Sequence, residues 1–386
     1  MVIAADRISD WIDKGAVVSR YYNPGNLFDK VHIVLLNQET PNPVALQQMV
    51  GTAQFEVSIF PTGIPHFAKT LGWTPALLKR WSKPIVEVAR RVKPSLVRCH
   101  WAFLNAFAAR EIKKELGVPY IISLHANIDA DVRREMDWGR RVRDWGYRRF
   151  ERPVLEDADR VLPVYSPVVP YLDRLGLKNY EVAFNVVNSE CLSPKESYQL
   201  HQPPRVACVG RQFRDKNPEN LIRAVSELPP VELTLFGRGD YHEKLKALSG
   251  ELKASARIHF VSAIPNNELC LLLKDFDIFA AHSETWEISK ASIEAMHTGL
   301  PVILNRRVAG QSEEQREAPC LFVPDSVEGY LEGLNKLLGS ESARATLGEK
   351  CRQFAKNHFS PEICEERYSQ IYQRVMDKSK AQPALF

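Results

Sequence analysis

The chain is defined first by what it lacks. No apolar run in its 386 residues approaches the roughly 20 needed to cross a bilayer, so a membrane-spanning helix is not expected. The opening residues MVIAADRISDW do not follow the basic-then-apolar layout of a secretory signal; the short VIAA run reads instead as a first strand. The seven cysteines (Cys99, Cys191, Cys208, Cys270, Cys320, Cys351 and Cys364) form no CxxC pair and no cluster with histidines, which argues against zinc. They read as buried free thiols of a cytoplasmic protein. The net charge of +4 is too small to argue for nucleic acid. No GxGxxG follows the first strand, so a dinucleotide cofactor is not expected. Internal repeats and low-complexity tracts are also absent.

What is present is ordinary globular chemistry, 45% hydrophobic and 25% charged, at a length suited to two or three domains. Short apolar strands alternate with amphipathic helices throughout. Strands are expected at 31–36, 55–60, 95–100, 120–125 and 161–166, with helices such as Pro75–Arg91 and Phe103–Leu116 between them. The segment Asn188–Pro204 is polar, contains three prolines and shows no periodicity, so it reads as a linker. The alternation restarts with RVACVG at 205–210 and continues through 231–237, 258–263, 276–281, 301–305 and 320–323. This pattern implies two parallel-sheet α/β domains facing a central cleft. The expected division is an N-terminal domain over 1–195, completed by a C-terminal helix in 361–386, and a C-terminal domain over 196–360.

The stretch Ser283–Asn305, SETWEISKASIEAMHTGLPVILN, carries the most chemistry. Two carboxylates, Glu284 and Glu287, lead into a helix that opens near Ser289 and Lys290 and carries Glu294. Gly299 permits a left-handed stop, and Pro301 turns the chain into a strand. A helix N-terminus offers free N–H groups to an anion, and a nearby carboxylate can accept paired hydroxyls such as those of a ribose. Together these suit a nucleotide-sugar.

Other loops fit the same chemistry. Gly210-Arg211 and Lys216 follow a strand, where Arg211 and Lys216 can clamp a diphosphate. Gly237-Arg238-Gly239 follows the next strand and permits close backbone approach. His125 ends a first-half strand and can hydrogen-bond a sugar hydroxyl, with His100 as its rival. Gly15 lies in the first loop, where a phosphate or acceptor could approach. Asp275-Phe-Asp277 has the DxD pattern of some metal sites but runs straight into a strand, and reads as a strand-entry turn. Arginines 133, 134, 140, 141, 143, 148 and 149 crowd together with Trp138, Trp145 and Tyr147. That segment reads as a solvated helix face or as a surface for an anionic membrane or lipid phosphate.

The segments RVACVGRQFRDKNPENLIRAV, LTLFGRG and FDIFAAHSETWEISKASIEAMHTGLPVILN resemble retaining glycosyltransferases of the GT-B fold, group 1 (family 4). In the first half, KPSLVRCHWAFLNAFAAREIKKELGVPYIISLH, ADRVLPVYS and FNVVN resemble the same family more loosely. The terminal FSPEICEERYSQIYQRV resembles its helix that returns to the first domain. The resemblance implies a metal-independent, cytoplasmic hexosyltransferase-like enzyme of polysaccharide biosynthesis. It would take a nucleotide-diphosphate-sugar donor and a glycan, lipid-linked or small-molecule hydroxyl acceptor; the basic, aromatic segment leaves peripheral contact with the inner membrane surface open. By this resemblance Arg211 and Lys216 stabilise the leaving diphosphate, Glu294 accepts the ribose hydroxyls and His125 contacts the transferred sugar. Donor contacts would also come from Gly15, Gly210, Gly237, Arg238, Ser289 and Lys290. The family's upstream acid falls at Trp286, so Glu284 and Glu287 both stand for it. A nucleotide-sugar epimerase of the same fold, or a non-catalytic sugar-nucleotide-binding subunit, are the competing readings.

Overall fold

The structure, a computed structural model, describes every residue except 63–73, 126–137, 188–190, 214–215, 263, 284–287, 307–312 and 382–386. It divides into two compact units. The first comprises Met1–Ile12, Val17–Asn185 and Cys364–Phe386; the second comprises Asp13–Ala16 and Val186–Ile363.

The first unit is a six-stranded sheet of β1 (Val2–Ala4), β2 (Lys30–Leu35), β3 (Gln54–Ile59), β4 (Val97–His100), β5 (Tyr120–Leu124) and β6 (Arg160–Pro163). All pairings are parallel, in the order β3-β2-β1-β4-β5-β6. Its helices are α1 (Ile8–Asp13), α2 (Pro43–Val50), α3 (Pro75–Val92), α4 (Leu104–Leu116), α5 (Trp138–Glu156) and α6 (Val169–Arg174). Parallel strands joined by helices are covered on both faces, which is why they read as continuous apolar runs. Successive residues alternate faces: Ile3 packs with Ile85, Val86, Phe107 and Ile112, whereas Val2 packs with Leu46 and Met49.

The second unit repeats the plan with β7 (Arg205–Val209), β8 (Glu232–Phe236), β9 (Ile258–Val261), β10 (Ile278–Ala281), β11 (Val302–Asn305) and β12 (Leu321–Val323). The parallel order is β12-β11-β10-β7-β8-β9. Its helices are α7 (Glu219–Ser226), α8 (His242–Glu251), α9 (Asn266–Leu272), α10 (Lys290–Thr298), α11 (Glu313–Glu317), α12 (Val327–Leu338) and α13 (Glu341–Phe359). In each sheet the chain starts at an inner strand, builds outward on one side and then crosses to build on the other. The crossing leaves a switch point between β1 and β4 and another between β7 and β10, where doubly wound sheets bind ligands beyond their carboxyl ends.

A last helix, α14 (Pro361–Ala381), sends Tyr368, Ile371 and Tyr372 against Leu96, Ile121 and Leu162 of the first unit. The buried Arg98 guanidinium lies 4.7 Å from the Tyr21 ring, 5.2 Å from Tyr368 and 5.9 Å from Tyr372, and donates to the Tyr21 carbonyl. From Cys364 onward this helix belongs to the first unit, the return that the resemblance implies for the terminal segment.

The segment read as a linker is a strap on the second unit over its described residues. Lys195 N–H donates to Thr298 O at 2.7 Å and its Nζ to Phe276 O at 2.6 Å. Arg344 Nη2 donates to Tyr198 O at 2.7 Å, and Tyr198 Oη to Gly299 O at 3.0 Å. The second unit begins at Val186, where the expected boundary is 195/196, and the irregular backbone from Lys195 on finds hydrogen-bond partners in that unit. Asp277 anchors the end of the strap: almost fully buried, it accepts from Arg205 N at 2.8 Å and from His201 Nδ1 at 2.9 Å. The second aspartate of the DxD pattern is thus occupied in pinning a strand entry.

The basic, aromatic segment falls partly on α5. Arg133 and Arg134 lie outside the described residues, as do the side chains of Trp138, Arg140, Arg141, Arg143 and Tyr147. Trp145 is exposed and carries the Arg149 guanidinium 4.2 Å from its ring. Among the described residues no helix is long and apolar enough to cross a membrane.

Asp277→Ala removes the acceptor for Arg205 N–H and the His201 ring together. It should cost about 2–4 kcal/mol of stability by urea unfolding, since buried donors left unpaired are expensive; an unchanged midpoint would show that the strap does not depend on this carboxylate.

Candidate functional site

At the carboxyl ends of β7 and β10 the second unit holds a cavity of about 300 Å³. That is the lower end of the range for small-molecule sites. It is lined by Gly210, Arg211 and Lys216 after β7, by His282 and Ser283 after β10, and by Ser289–Ser292 at the start of α10. Among the described lining residues Arg211, Lys216 and Lys290 bring three cations, and none carries a carboxylate.

Each wall is set by local sequence. Ser289 is the N-cap of α10: its Oγ accepts from Ser292 N at 3.2 Å. That satisfies one of the free first-turn amides and leaves those of Lys290 and Ala291, which the helix cannot bond internally, beside the cavity. Gly299 at φ 81° ends the helix left-handed. Asn305, the last residue of β11, clamps Ser283 in both directions, accepting from its N–H at 2.9 Å and donating to its carbonyl at 3.1 Å. Ser283 Oγ in turn lies 3.4 Å from Lys216 Nζ, which aims the lysine at this wall. The lining of cations and a helix start suits a small polyanion.

The loop after β7 is shaped by the loop after β8. Gly237 has φ 139°, and a Cβ there would lie 2.0 Å from the Gly210 carbonyl oxygen. Gly239 is as tightly placed, with its hypothetical Cβ 2.3 Å from Gln212 O. The two loops are stitched by Gln212 N–H to Arg238 O at 3.1 Å and Tyr241 N–H to Gln212 O at 2.9 Å. Both glycines are therefore demanded by backbone proximity, while the exposed Arg238 side chain is not among the cavity lining.

Glu294 is buried behind the helix start, 1% exposed. Its Oε1 accepts from Asn266 Nδ2 at 2.9 Å and stands 3.6 Å from Lys290 Nζ. Burial pushes the carboxyl above its ordinary range, and Lys290 with hydrogen bonds from Asn266, Lys290 and Cys270 pulls it back. Lys290 Nζ also donates to Asn266 Oδ1 at 3.0 Å, so this lysine serves the acid as well as the cavity. Gly15 belongs to the second unit, and a Cβ there would lie 2.1 Å from Asn267 Oδ1. The preceding Lys14 carbonyl accepts from Asn266 N at 2.6 Å.

Glu284 and Glu287 lie outside the described residues, as do Arg214 and Asp215. Three further polar residues of the cavity had no sequence signal beyond their place after strands. Asn305 is described above. The buried Gln212 holds His242 Nδ1 at 2.6 Å through Oε1, while its Nε2 has no hydrogen-bond partner among the described residues. The buried His282 reaches Asp325 at 3.1 Å through Nε2, and among those residues its Nδ1 likewise lacks a partner. Among the described residues no group of three or more His, Cys, Asp or Glu has the arrangement of a metal site.

His125 lies in the first unit, at the end of β5. Its ring sits 5.3 Å from Trp101 and 5.4 Å from His100, and Asn185 Nδ2 is 3.4 Å from its Nδ1. Among the described residues the buried Nε2 atoms of both histidines have no partner, and Trp101 holds a left-handed φ of 70° that non-glycine residues seldom adopt. Burial, with Arg98 nearby, pushes His125 down to about 3, and His100 is also depressed by burial.

Both imidazoles are therefore neutral at physiological pH. A depressed histidine binds fewer protons folded than unfolded, so the first unit should lose stability as pH falls from about 6.5 toward 3. Thermal unfolding of the His125→Asn variant should be less acid-sensitive than wild type over that window; an identical pH dependence would contradict a buried neutral His125. Gly237→Ala should displace the Gly210 carbonyl and weaken binding of anionic ligands about tenfold or more by calorimetry. Wild-type affinity in that variant would show that the close approach is dispensable.

Comparison with known proteins fits this geometry. Residues 28–185 match the family model described as glycosyl transferase 4-like domain, and residues 194–357 match glycosyl transferases group 1. The sulfoquinovosyl transferase SQD2 of Arabidopsis thaliana is 24% identical over 361 residues, covering 88% of this chain and 67% of the relative. The lipopolysaccharide core biosynthesis glycosyltransferase LpsE of Rhizobium meliloti is 25% identical over 297 residues, covering 74% and 78%. Among solved structures, Anabaena HepE in complex with UDP and glucose aligns with a TM-score of 0.71 at 15% identity, over 96% of this chain and 99% of that one. Sucrose-phosphate synthase from Thermosynechococcus elongatus aligns with a TM-score of 0.72 at 17% identity, over 98% and 100%. With two Rossmann-like units and family matches over most of its length, the chain belongs to the group 1 glycosyltransferases of the GT-B fold.

Proposed function

We propose that this protein transfers a sugar from a nucleoside-diphosphate-sugar to a hydroxyl group of a glycan or lipid-linked acceptor, with retention of anomeric configuration. The observation that carries the reading is the convergence of Arg211, Lys216, Lys290 and the α10 N-terminus on one cavity at a topological switch point. A departing nucleoside diphosphate gains negative charge as the glycosidic bond breaks, and preorganised cations and amides stabilise that charge more than they stabilise the intact donor. Arg211 contributes a planar fork and Lys216 a point charge. Glu294, behind the helix start, accepts the ribose hydroxyls. The neutral His125 imidazole accepts or donates one hydrogen bond to a sugar hydroxyl without adding charge.

Because the cations lie where the diphosphate leaves, the reading is metal-independent transfer. Retention follows the family likeness: the acceptor attacks on the face the leaving group vacates, and the leaving phosphate takes the acceptor proton. No protein nucleophile is assigned. The upstream acid that binds the sugar is Glu284 or Glu287, and comparing Glu284→Gln with Glu287→Gln distinguishes them by which raises the donor KM. HepE is described in complex with UDP and glucose, so UDP-sugars head the donor panel.

The test is turnover of UDP-, GDP- and ADP-sugars with glycan and lipid-linked acceptors, in the presence of EDTA, with the product anomer read by NMR. A retained glycoside formed in EDTA is expected. An isomerised donor would mean an epimerase, nucleotide binding without turnover would mean a binding subunit, and loss of activity in EDTA would contradict metal independence. Lys216→Ala should lower kcat/KM by roughly a hundredfold or more with an unchanged unfolding temperature; near-wild-type turnover would remove Lys216 from the diphosphate clamp.

A further inference from the structure

We propose that Asn266 is the positioning residue of the donor site, a clamp that holds the Glu294 carboxylate in the setting from which it reads a ribose. The proposal rests on the ribose role of Glu294. A carboxylate only accepts hydrogen bonds and an ammonium only donates them, so an amide between the two has one satisfactory orientation. Asn266 has it: Nδ2 donates to Glu294 Oε1 at 2.9 Å and Oδ1 accepts from Lys290 Nζ at 3.0 Å. The direct Lys290–Glu294 separation is 3.6 Å, so the short contact to the acid is made by the amide.

The clamp is itself fixed. Asn266 is the first residue of α9, where the main-chain N–H has no partner inside the helix, and that N–H donates to Lys14 O at 2.6 Å. Cys270, one turn further along α9, adds to the pull that lowers the Glu294 carboxyl against its burial. Among the described residues, the charged or titratable groups that act on Glu294 are Lys290 on its own helix and Cys270 on α9. The strands β10 and β11 against that helix carry none, and α13 contributes none among those described. With Oε1 held by Asn266, the carboxylate cannot swing toward Lys290, and two adjacent hydroxyls meet an acceptor of fixed direction. A ribose is common to all nucleoside diphosphates, so this contribution is independent of the base.

An aspartate at 266 has the same shape and the same backbone but no donor. It sets a second carboxylate against Glu294 until one of the two takes a proton, after which the protonated group donates as the amide does. The experiment is calorimetric titration of UDP, GDP and ADP between about pH 5.5 and 8.5. It compares the wild type with Asn266→Ala, Asn266→Asp, Asn266→Ser, Glu294→Gln and the double variant Asn266→Ala/Glu294→Gln.

At pH 8 Asn266→Ala and Asn266→Asp should each weaken the nucleotide that binds by about tenfold. Asn266→Ser, which keeps a donor, should lose less, and Asn266→Asp alone should regain affinity as the pH falls. In the Glu294→Gln background, Asn266→Ala should have no further effect, because the two act as one unit. Wild-type affinity in Asn266→Asp at every pH, equal losses in Asn266→Ser and Asn266→Ala, or additive losses in the double variant would overturn the proposal. Unchanged affinity in Glu294→Gln, or no binding of any of the three nucleotides, would instead overturn the ribose reading beneath it.

Discussion

The second unit is organised by one constraint, the reversal of strand order between β7 and β10. Right-handed crossovers send the chain from β7 outward through β8 and β9, then back past the starting strand to β10, β11 and β12. At the reversal the two departing loops diverge, and no helix can cover the gap. The groups proposed to meet the diphosphate enter that gap: Arg211 and Lys216 from one side, His282, Ser283 and the start of α10 from the other. The glycines of the β8 loop are a consequence, since the Gly210 carbonyl can take its place only where Gly237 has no side chain.

A second cost falls on the acid behind the gap. Burying Glu294 disfavours its charged form, and the site answers with an amide, a lysine and a thiol rather than with a lone counter-ion. Among the described residues this arrangement keeps a hydroxyl acceptor next to an electropositive cavity, with the Glu294 carboxylate set behind the lining. A negative lining would repel a diphosphate; an acid set one layer back does not meet it directly. The depressed histidines of the first unit follow the same logic, since burial there leaves polar but uncharged rings.

The architecture was readable because parallel strands covered on both faces announce themselves as apolar runs, and the strand beginnings and ends are punctuated by glycine and proline. The N-cap at Ser289 and the left-handed stop at Gly299 were legible for the same local reason. Asn266 was not legible: in PNNEL it looks like an ordinary helix-opening residue, and its role depends on Glu294 lying 28 positions further on. Polarity and prolines report irregular backbone, not whether that backbone finds partners; the strap finds them at Thr298, Gly299 and Asp277. Lys290 was readable as a cation near a helix start, but not as the second arm of an amide clamp.

The central claim is that the nucleotide diphosphate sits in the β7–β10 gap of the second unit. Hydrogen–deuterium exchange with and without saturating UDP measures this most directly. The account predicts slowed exchange in peptides covering 208–218, 264–272 and 281–294, with the strap at 191–204 unchanged. Protection confined to other parts of the chain, or none at all at a UDP concentration that saturates binding, would contradict it.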